Sequence, residues 1–361
     1  MEFRQLTKSK IMVSVISFGG MRLPDISEEE AYKVVNRALD LGINYFETAY
    51  WYGDSEIKIG KSLDKRRKNI YLSTKNGYNK SMTGDEVKKG VEEQLKRLQT
   101  DYFDFYQMWG TDSLDMFEKI TAPGNKYEAV KQLMKEGVIK HVGITTHAKP
   151  EEAEKMIETG LFESVTIYYN AYRQSFTKVA ALAKKLGIGV VAMGPLNGGF
   201  LGSESRELSF LKRGKARTNA EGALRFIVGN PNITTAIVGF KTVEEVEAGV
   251  RIGDLYEDIA NTNDMAEITE NFKVLAKTIP ETVCSSCNYC MPCKEKIGIP
   301  GIFSLANNAK VYGTLDFSKT RYKHLKIKAD TCSKCGTCME KCPQKINIIK
   351  DLAEAHGMLK S

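Results

Sequence analysis

Eight cysteines near the C-terminal end are the residues of this chain whose spacing most clearly predicts chemistry. They form two runs, Cys284-x2-Cys287-x2-Cys290-x2-Cys293 and Cys332-x2-Cys335-x2-Cys338-x3-Cys342-Pro343. Three thiolates at this spacing hold one [4Fe-4S] cluster, and the fourth, before a proline, binds the other cluster where two are present. We therefore predict two [4Fe-4S] clusters, one on Cys284, Cys287, Cys290 and Cys342, and one on Cys332, Cys335, Cys338 and Cys293.

Two other uses of these cysteines are alternatives. Structural zinc sites need four ligands each and use Cys-x2-Cys pairs, which fit consecutive triplets less well. Disulfides are typical of secreted chains, whereas this N-terminus contains no apolar signal segment. No run of about eighteen apolar residues occurs either. The sequence thus predicts a cytoplasmic protein with no membrane-spanning segment, and exposed clusters favour an anaerobic cytoplasm.

A second group that could do chemistry lies in the first hundred residues, where Glu47, Tyr52 and Lys75 follow or end short apolar runs. A lysine ammonium beside a phenol stabilises the phenolate and lowers the tyrosine pKa from about 10 toward the range of a general acid. A carboxylate keeps the lysine charged. Each residue alone also fits a salt bridge or a surface tyrosine, but the trio indicates a proton-donating site.

The elements that must position these residues repeat along the chain. Between residue 13 and about residue 250, short apolar runs alternate with longer amphipathic stretches, which predicts a repeated strand and helix unit. Helical patterns cover Glu28–Leu41 and Asp85–Leu98, among others. The predicted strands are Val13–Phe18, Ile43–Glu47, Ile70–Thr74, Tyr102–Trp109, His141–Thr145, Ser164–Tyr169, Gly189–Met193 and Thr235–Val238.

Eight such units in about 250 residues predict an α/β fold with a closed (β/α)8 TIM barrel, whose floor the segment up to Lys10 covers. A doubly wound open sheet is the alternative, but no Gly-x-Gly-x-x-Gly motif follows a strand. We place the barrel at residues 1–278 and a small, mainly helical two-cluster domain at 279–361. Because strand ends form the catalytic rim of a barrel, Glu47, Lys75 and Trp109 are expected to converge there with Tyr52.

The net charge of +7 is concentrated in the C-terminal part of the chain. Residues 281–361 contain 13 Lys and Arg against 7 Asp and Glu, a net charge of +6. These lysines are scattered among the cysteines and do not line one helix face, which disfavours a nucleic-acid site. They offset the negative charge of thiolate-bound clusters or, as the alternative, form a docking surface for an acidic electron carrier.

Several motifs give the chain a family resemblance: FGGMRLP at Phe18–Pro24, FETAYWYGDSE at 46–56, LSTK at 72–75, VGITTH at 142–147, PLNGG at 195–199, and CNYCMPC and CPQ in the tail. The chain resembles the aldo-keto reductases, in the subgroup with a C-terminal two-cluster ferredoxin-like domain. The resemblance implies a reductase in which Tyr52 gives a proton to a carbonyl oxygen, nicotinamide gives hydride to the carbon, and Lys75 tunes the tyrosine.

Two positions of the family's catalytic tetrad are altered. The aspartate position holds Glu47, and the histidine position holds Trp109, whose indole donates one hydrogen bond but cannot take a proton. If the indole does not replace the donor to the developing oxyanion, the loss is on the order of 10² in rate. His147, after the fifth strand, either replaces that proton donor or lines the cofactor groove as in relatives.

The resemblance also implies a dinucleotide, NADP(H) or NAD(H). The positions retained for it are Gly19, Gly20, Met21, Thr145, Thr146, Asn170, Met193, Pro195, Leu196, Gly239 and Lys241. The family's adenine-binding Glu and Asn appear as Ala248 and Gly249, which indicates weaker or different binding. Aromatic residues near the rim, namely Tyr50, Trp51, Tyr52, Tyr78, Trp109 and Tyr172, suit a flat conjugated or aromatic small-molecule substrate.

Together these features predict an iron-sulfur oxidoreductase that reduces a carbonyl or conjugated substrate with Tyr52 as proton donor and NAD(P)H as hydride source. A cluster passes one electron at a time, whereas nicotinamide gives two, and no flavin signature connects them. One alternative is therefore a reductase that takes single electrons from ferredoxin or another carrier and uses no nicotinamide. The other is a non-enzymatic electron carrier in which Trp109 fills a degenerate site.

Overall fold

The structure, a computed structural model, describes residues 1–76, 83–109, 111–254, 262–275, 284–312 and 314–360. The chain separates into two compact units. The first consists of Met1–Pro195 and Leu224–Asn261, and the second of Leu196–Ala223 and Thr262–Ser361. The boundary predicted between residues 278 and 279 lies outside the described residues.

The first unit begins with a short antiparallel hairpin of strands β1 (Phe3–Gln5) and β2 (Met12–Ser14). Leu6 and Val13 are buried against Tyr45, Phe105 and other apolar residues at the start of the barrel strands. This burial matches the prediction that the N-terminal segment covers the barrel floor.

Eight parallel strands follow and close into a barrel in which the last strand pairs with the first. This is the architecture that the repeated strand and helix pattern predicts. The barrel strands are β3 (Ile16–Gly19), β4 (Tyr45–Glu47), β5 (Tyr71–Thr74), β6 (Phe103–Met108), β7 (Ile139–Thr145), β8 (Ser164–Tyr168), β9 (Gly189–Met193) and β10 (Thr235–Val238).

The segment predicted as one strand, Val13–Phe18, is divided in the structure between β2 and β3. Every residue of this segment is buried, so no alternation of polar and apolar residues marks the division. The backbone changes partners at this point: the amide of Ser14 donates to Asn44 Oδ1 at 2.8 Å, and the amide of Val15 donates to the carbonyl of Glu2 at 3.0 Å.

The described helices of the chain surround the barrel or form the second unit. In the first predicted helix, a capping box of Ser27 and Glu30 fixes the start, and the buried face is the predicted one. The helices are α1 (Glu28–Asp40), α2 (Ser55–Leu63), α3 (Gly84–Leu98), α4 (Leu114–Thr121), α5 (Lys126–Lys135), α6 (Pro150–Glu158), α7 (Thr177–Leu186), α8 (Asn219–Val228), α9 (Val243–Asp254), α10 (Thr262–Leu275), α11 (Ile299–Tyr312), α12 (Leu315–Lys323), α13 (Thr337–Glu340) and α14 (Ile348–Leu359).

The second unit is built around its own apolar core. Helices α11, α12 and α14 pack together and bury Ile302, Phe303, Tyr322 and Leu352. Cys342 lies in this core, and five more cysteines pack against it half-buried. The helical character of this unit agrees with the prediction. Within the part of the chain that the structure describes, no helix is long and apolar enough to cross a membrane.

Candidate functional site

Four predicted catalytic residues lie at the C-terminal ends of neighbouring strands. Glu47 ends β4, and Lys75 and Trp109 directly follow β5 and β6. Tyr52 lies in the loop between β4 and α2. Because these strands are parallel neighbours, their last residues meet at one rim of the barrel. The structure therefore brings the four side chains together.

Lys75 is the centre of this group. Its Nζ donates hydrogen bonds to Glu47 Oε1 and, at 3.1 Å, to the carbonyl oxygen of Thr48. The same nitrogen lies 4.6 Å from the ring centroid of Tyr52 and 5.4 Å from that of Trp109. Lys75 is 2% exposed and Glu47 4%, so water and salt screen this ion pair only weakly.

Two opposing effects act on the charge of Lys75. Burial lowers its pKa from 10.5 to about 7, because the ammonium loses its hydration. The Glu47 carboxylate in direct contact favours the charged form and opposes that shift. The faces of the two aromatic rings also attract a cation. Lys75 therefore has a protonation state that is sensitive to pH near neutrality.

Tyr52 and Trp109 form an aromatic wall beside Lys75. Their ring centroids are 6.4 Å apart with an interplanar angle of 68°, an edge-to-face arrangement. Trp109 is 2% exposed, whereas Tyr52 is only half-buried. The lysine charge is thus shielded on the side of the indole, and the phenol is the more accessible of the two rings.

A buried polar network that no sequence motif predicts supports the end of β5. Glu56 Oε1 accepts hydrogen bonds from Thr74 Oγ1 at 2.8 Å and from Gln94 Nε2 at 2.7 Å. Gln94 Nε2 also donates to the carbonyl oxygen of Lys75 at 3.2 Å. Burial raises the pKa of Glu56, against the effect of these hydrogen bonds and of the Arg97 guanidinium. Its only sequence signal is its place at the end of the FETAYWYGDSE motif.

Lys126 is a second buried lysine at this rim, and no sequence motif points to it. It begins helix α5, is 4% exposed and has its Nζ 3.5 Å from the carbonyl oxygen of Trp109. Burial lowers the pKa of Lys126 to about 8, while the Glu86 carboxylate opposes the shift. In sequence it looks like any lysine of an amphipathic surface helix.

Three residues predicted to bind the dinucleotide lie at the ends of β7 and β8, and two of them make internal hydrogen bonds. Thr146 Oγ1 donates to the carbonyl oxygen of Thr111 at 2.5 Å. Asn170 donates to the carbonyl oxygen of Gly194 at 2.8 Å, and its side-chain oxygen accepts two backbone N–H groups of its own loop. Thr145 Oγ1, in contrast, is buried and has no hydrogen-bond partner among the described residues.

The remaining predicted cofactor residues occupy three strand ends. Gly19 ends β3, and Gly20 and Met21 begin the 3-10 helix that follows it. Met193 ends β9 and Pro195 is buried just after it, while Gly239 and the exposed Lys241 follow β10. A Cβ on Gly239 would lie 2.7 Å from Arg22 Cγ, so any larger residue here would require the Arg22 side chain to shift. Leu196 belongs to the second compact unit.

The aromatic residues expected near the substrate are not all in one place. Tyr50 donates a hydrogen bond to Glu93 at 2.9 Å and stacks under the Arg97 guanidinium, so it faces helix α3. Trp51 is 60% exposed. The Tyr172 backbone amide binds the Asn170 side chain, and Tyr78 lies outside the described residues. Tyr52 and Trp109 are thus the pair that the structure places beside Lys75.

One group of cysteines lines a cavity in the second unit: Cys284, Cys287, Cys290 and Cys342. Apolar side chains of α11, among them Ile299 and Phe303, form the rest of its wall. Burial and the nearby thiols of the same group raise the pKa of Cys290 to about 12. Thiols this close cannot all ionise without a positive charge among them, and the iron of a cluster supplies that charge. The residues present therefore fit a [4Fe-4S] cluster.

The other four cysteines form a second group in the same unit. Burial raises the pKa of Cys338, and the thiols of Cys332, Cys293 and Cys335 add to the shift. Cys293 thus lies close to cysteines of the other run, and Cys342 lies with the first run. All eight cysteines are free thiols, so no disulfide joins them.

Two protein families match separate parts of the chain. The profile of the aldo/keto reductase family matches residues 15–273, and that of a 4Fe-4S dicluster domain matches residues 283–347. The first match contains the strands of the barrel, and the second contains all eight cysteines.

Individual relatives are similar to about seven tenths of the chain or more. An uncharacterised oxidoreductase of Bacillus subtilis, YrpG, is 28% identical over 72% of this chain and 93% of the relative. The L-galactose dehydrogenase of Arabidopsis thaliana is 28% identical over 69% of this chain and 87% of the relative. The solved holo form of aldo-keto reductase AKR11C1 from Bacillus halodurans has a TM-score of 0.61 and 28% identity, and the match covers 76% of this chain and 96% of that one.

Proposed function

Because the chain belongs to the aldo/keto reductase family and is an oxidoreductase with a 4Fe-4S dicluster domain, we propose that it reduces a carbonyl or conjugated small molecule with Tyr52 as the proton donor. One observation carries this proposal: the buried ammonium of Lys75, held by Glu47, lies 4.6 Å from the Tyr52 ring. A cation in that position stabilises negative charge on the phenol.

The proposed chemistry follows from these charges. As the substrate is reduced, its oxygen gains negative charge and takes the phenolic proton of Tyr52. The Lys75 ammonium stabilises the phenolate that remains, and Glu47 keeps the ammonium in place. Trp109, packed beside Tyr52, excludes water from the lysine on its side, which strengthens the interaction.

We also propose a nicotinamide dinucleotide, NADP(H) or NAD(H), as the hydride source. When bound, it supplies two electrons as hydride to the substrate carbon. The hydroxyl of Thr145, which has no hydrogen-bond partner among the described residues, fits a carboxamide. In the second unit, we propose one cluster on Cys284, Cys287, Cys290 and Cys342, and one on Cys293, Cys332, Cys335 and Cys338.

The first test replaces Tyr52 by Phe and measures reduction of a panel of aromatic aldehydes and conjugated ketones. Loss of the proton donor is expected to lower kcat by about 10² or more. Tyr50→Phe is the matched control, because the Tyr50 hydroxyl is bonded to Glu93, and its kcat should stay within about twofold of wild type. Unchanged kcat in Tyr52→Phe would contradict the proposed role.

A reductase that takes single electrons from a carrier and uses no nicotinamide is the second candidate. The internal hydrogen bonds of Thr146 and Asn170 favour it, because they occupy groups that a dinucleotide would need. Anaerobic titration of the iron-loaded protein with NADPH and NADH, followed by nicotinamide fluorescence and cluster absorbance, separates the two. Binding supports the nicotinamide mechanism. If neither dinucleotide binds at millimolar concentration while a reduced carrier bleaches the clusters, the second candidate is correct.

A further inference from the structure

The second unit contains an open groove between the start of α11 and the segment that follows α12. Four basic side chains line it, those of Lys296, Arg321, His324 and Lys326, and all are exposed. None of the described residues that line the groove is acidic. The groove therefore presents one sign of charge to the solvent, within a segment whose net charge is +6.

The floor of this groove is apolar. Ile302 is buried, and Leu305, Leu325 and Ile327 are half-buried. The cavity measures about 790 Å³, a size that a small ligand could fill, but its charged residues lie open to solvent and small-ligand sites enclose most of their ligand. An apolar floor with a polar rim is instead the pattern of a protein-protein contact, and a rim of one sign selects a partner of the opposite sign.

The groove also adjoins the first group of cysteines. Asn288 and Pro300 line both the groove and the cavity bounded by Cys284, Cys287, Cys290 and Cys342. Met291, which directly follows Cys290, is a third lining residue of the groove. A partner bound in the groove would thus be separated from that cavity by the thickness of a single residue.

We propose that this groove docks a small acidic protein that carries one electron at a time, and that electrons enter the second unit there. The inference rests on the cluster that we assign to Cys284, Cys287, Cys290 and Cys342. In each encounter the reduced carrier loses one electron and that cluster gains one, and no bond forms or breaks.

The test measures the affinity of the iron-loaded protein for an acidic [2Fe-2S] ferredoxin by calorimetry, at about 20 mM and about 500 mM salt. Wild-type binding should weaken at high salt. The double variant Arg321→Glu with Lys326→Glu should bind at least about tenfold more weakly than wild type at low salt. The matched control is the double variant Lys273→Glu with Lys350→Glu. The side chains of these two lysines are 67% and 68% exposed, and the double variant changes the net charge by the same amount as the groove variant. It should bind within about threefold of wild type.

A second readout is the rate at which the reduced ferredoxin bleaches the clusters in stopped flow. This rate should fall in the groove variant, whereas bleaching by reduced methyl viologen, which needs no docking, should not change.

If the glutamate variant fails to fold or lacks iron, Arg321→Gln with Lys326→Gln is used instead. Equal losses in groove and control variants would overturn the proposal. So would binding of inorganic phosphate or of a second copy of the chain in place of the ferredoxin. Binding is measured without substrate, so failure of the proposed barrel chemistry leaves it unaffected.

Discussion

The Lys75 ammonium provides a direct test of the barrel chemistry. Its pKa of about 7 means that the ammonium loses its proton as the pH rises through neutrality, and a neutral amine cannot stabilise a phenolate. We therefore expect kcat to fall above about pH 7 in the wild type. Lys75→Met should be slow at every pH, because it carries no charge.

Lys75→Arg is the control for charge, since a guanidinium stays protonated throughout this range. Its kcat should be lower than that of the wild type, because the Arg side chain has a different shape, but it should not fall between pH 7 and 9. The measurement is kcat from pH 5.5 to 9 for the three proteins. If kcat of Lys75→Arg fell above pH 7 as it does in the wild type, a group other than Lys75 would cause that fall.

The same pKa shift predicts the pH dependence of stability. Lys75 has a lower pKa in the folded state than its usual 10.5, so the unfolded state binds more protons between about pH 7 and 10.5. The free energy of unfolding should therefore rise with pH across this window, by at most about 1.4 kcal/mol per pH unit. Denaturant unfolding at pH 7 and 9.5 should show this rise in wild type and a smaller rise in Lys75→Met. Equal rises in the two proteins would contradict the shift.

The N-terminal hairpin closes the floor of the barrel, and Leu6 is the side chain at its end that tests this packing most directly. Leu6 is 1% exposed and packs in one cluster with Val13, Tyr45 and Phe105. Leu6→Ala should lower the free energy of unfolding by about 2–5 kcal/mol, because it leaves a cavity in this cluster. Met12→Ala is the control, since Met12 is 44% exposed. It should cost less than about 1 kcal/mol in the same denaturant titration, and an equal cost would show that the hairpin does not close the floor.

The barrel could be predicted from the sequence because each strand and helix has a local pattern. The first predicted helix, for example, has its apolar face and its cap within fourteen residues. The division of Val13–Phe18 into two strands could not be predicted, because a segment that is buried on all sides shows no alternation of polar and apolar residues. The convergence of Glu47, Tyr52 and Lys75 followed from the rule that strand ends share a rim.

Other parts of the site depend on contacts between distant residues, and no local pattern predicts those. Glu56 and Gln94 are 38 positions apart and meet only when α2 and α3 pack against β5. Lys126 shares the buried face of α5 with Ala129, Val130 and Leu133, but only the residues that pack against this face bury its ammonium. The sequence does not tell whether the Asn170 side chain binds a ligand or its own loop. In the structure its hydrogen-bond partners are internal.

Across the whole chain, the proposed substrate reduction and the proposed electron entry fall in separate compact units. Nearly all of the net charge belongs to the second, where residues 281–361 hold +6 of the total +7. The barrel portion is thus close to neutral, as suits a site for small molecules. An acidic partner is attracted by long-range charge to the cysteine-containing part of the chain.

The proposed sharing of cysteines between the two runs makes a prediction that concerns the whole second unit. Cys290 and Cys342 are far apart in sequence but line one cavity, so Ser at either position should remove the same cluster. Iron should fall from about eight atoms per chain to about four in each single variant, and stay at about four in the double variant. Cys290→Ser with Cys338→Ser, in contrast, should remove both clusters and nearly all of the iron.

Iron and acid-labile sulfide analysis of the anaerobically purified proteins measures these losses, and electron paramagnetic resonance of the reduced forms counts the remaining clusters. Ser333→Ala is the control, because it lies in the second run but is not a thiolate, and it should keep about eight iron atoms. If each run instead held its own cluster, Cys290→Ser with Cys342→Ser would lose nearly all of the iron, whereas Cys290→Ser with Cys338→Ser loses both clusters under either arrangement. The shared cavity argues for the first result, because a cluster needs its four thiolates around one space, and Cys342 lies in the space of the first run.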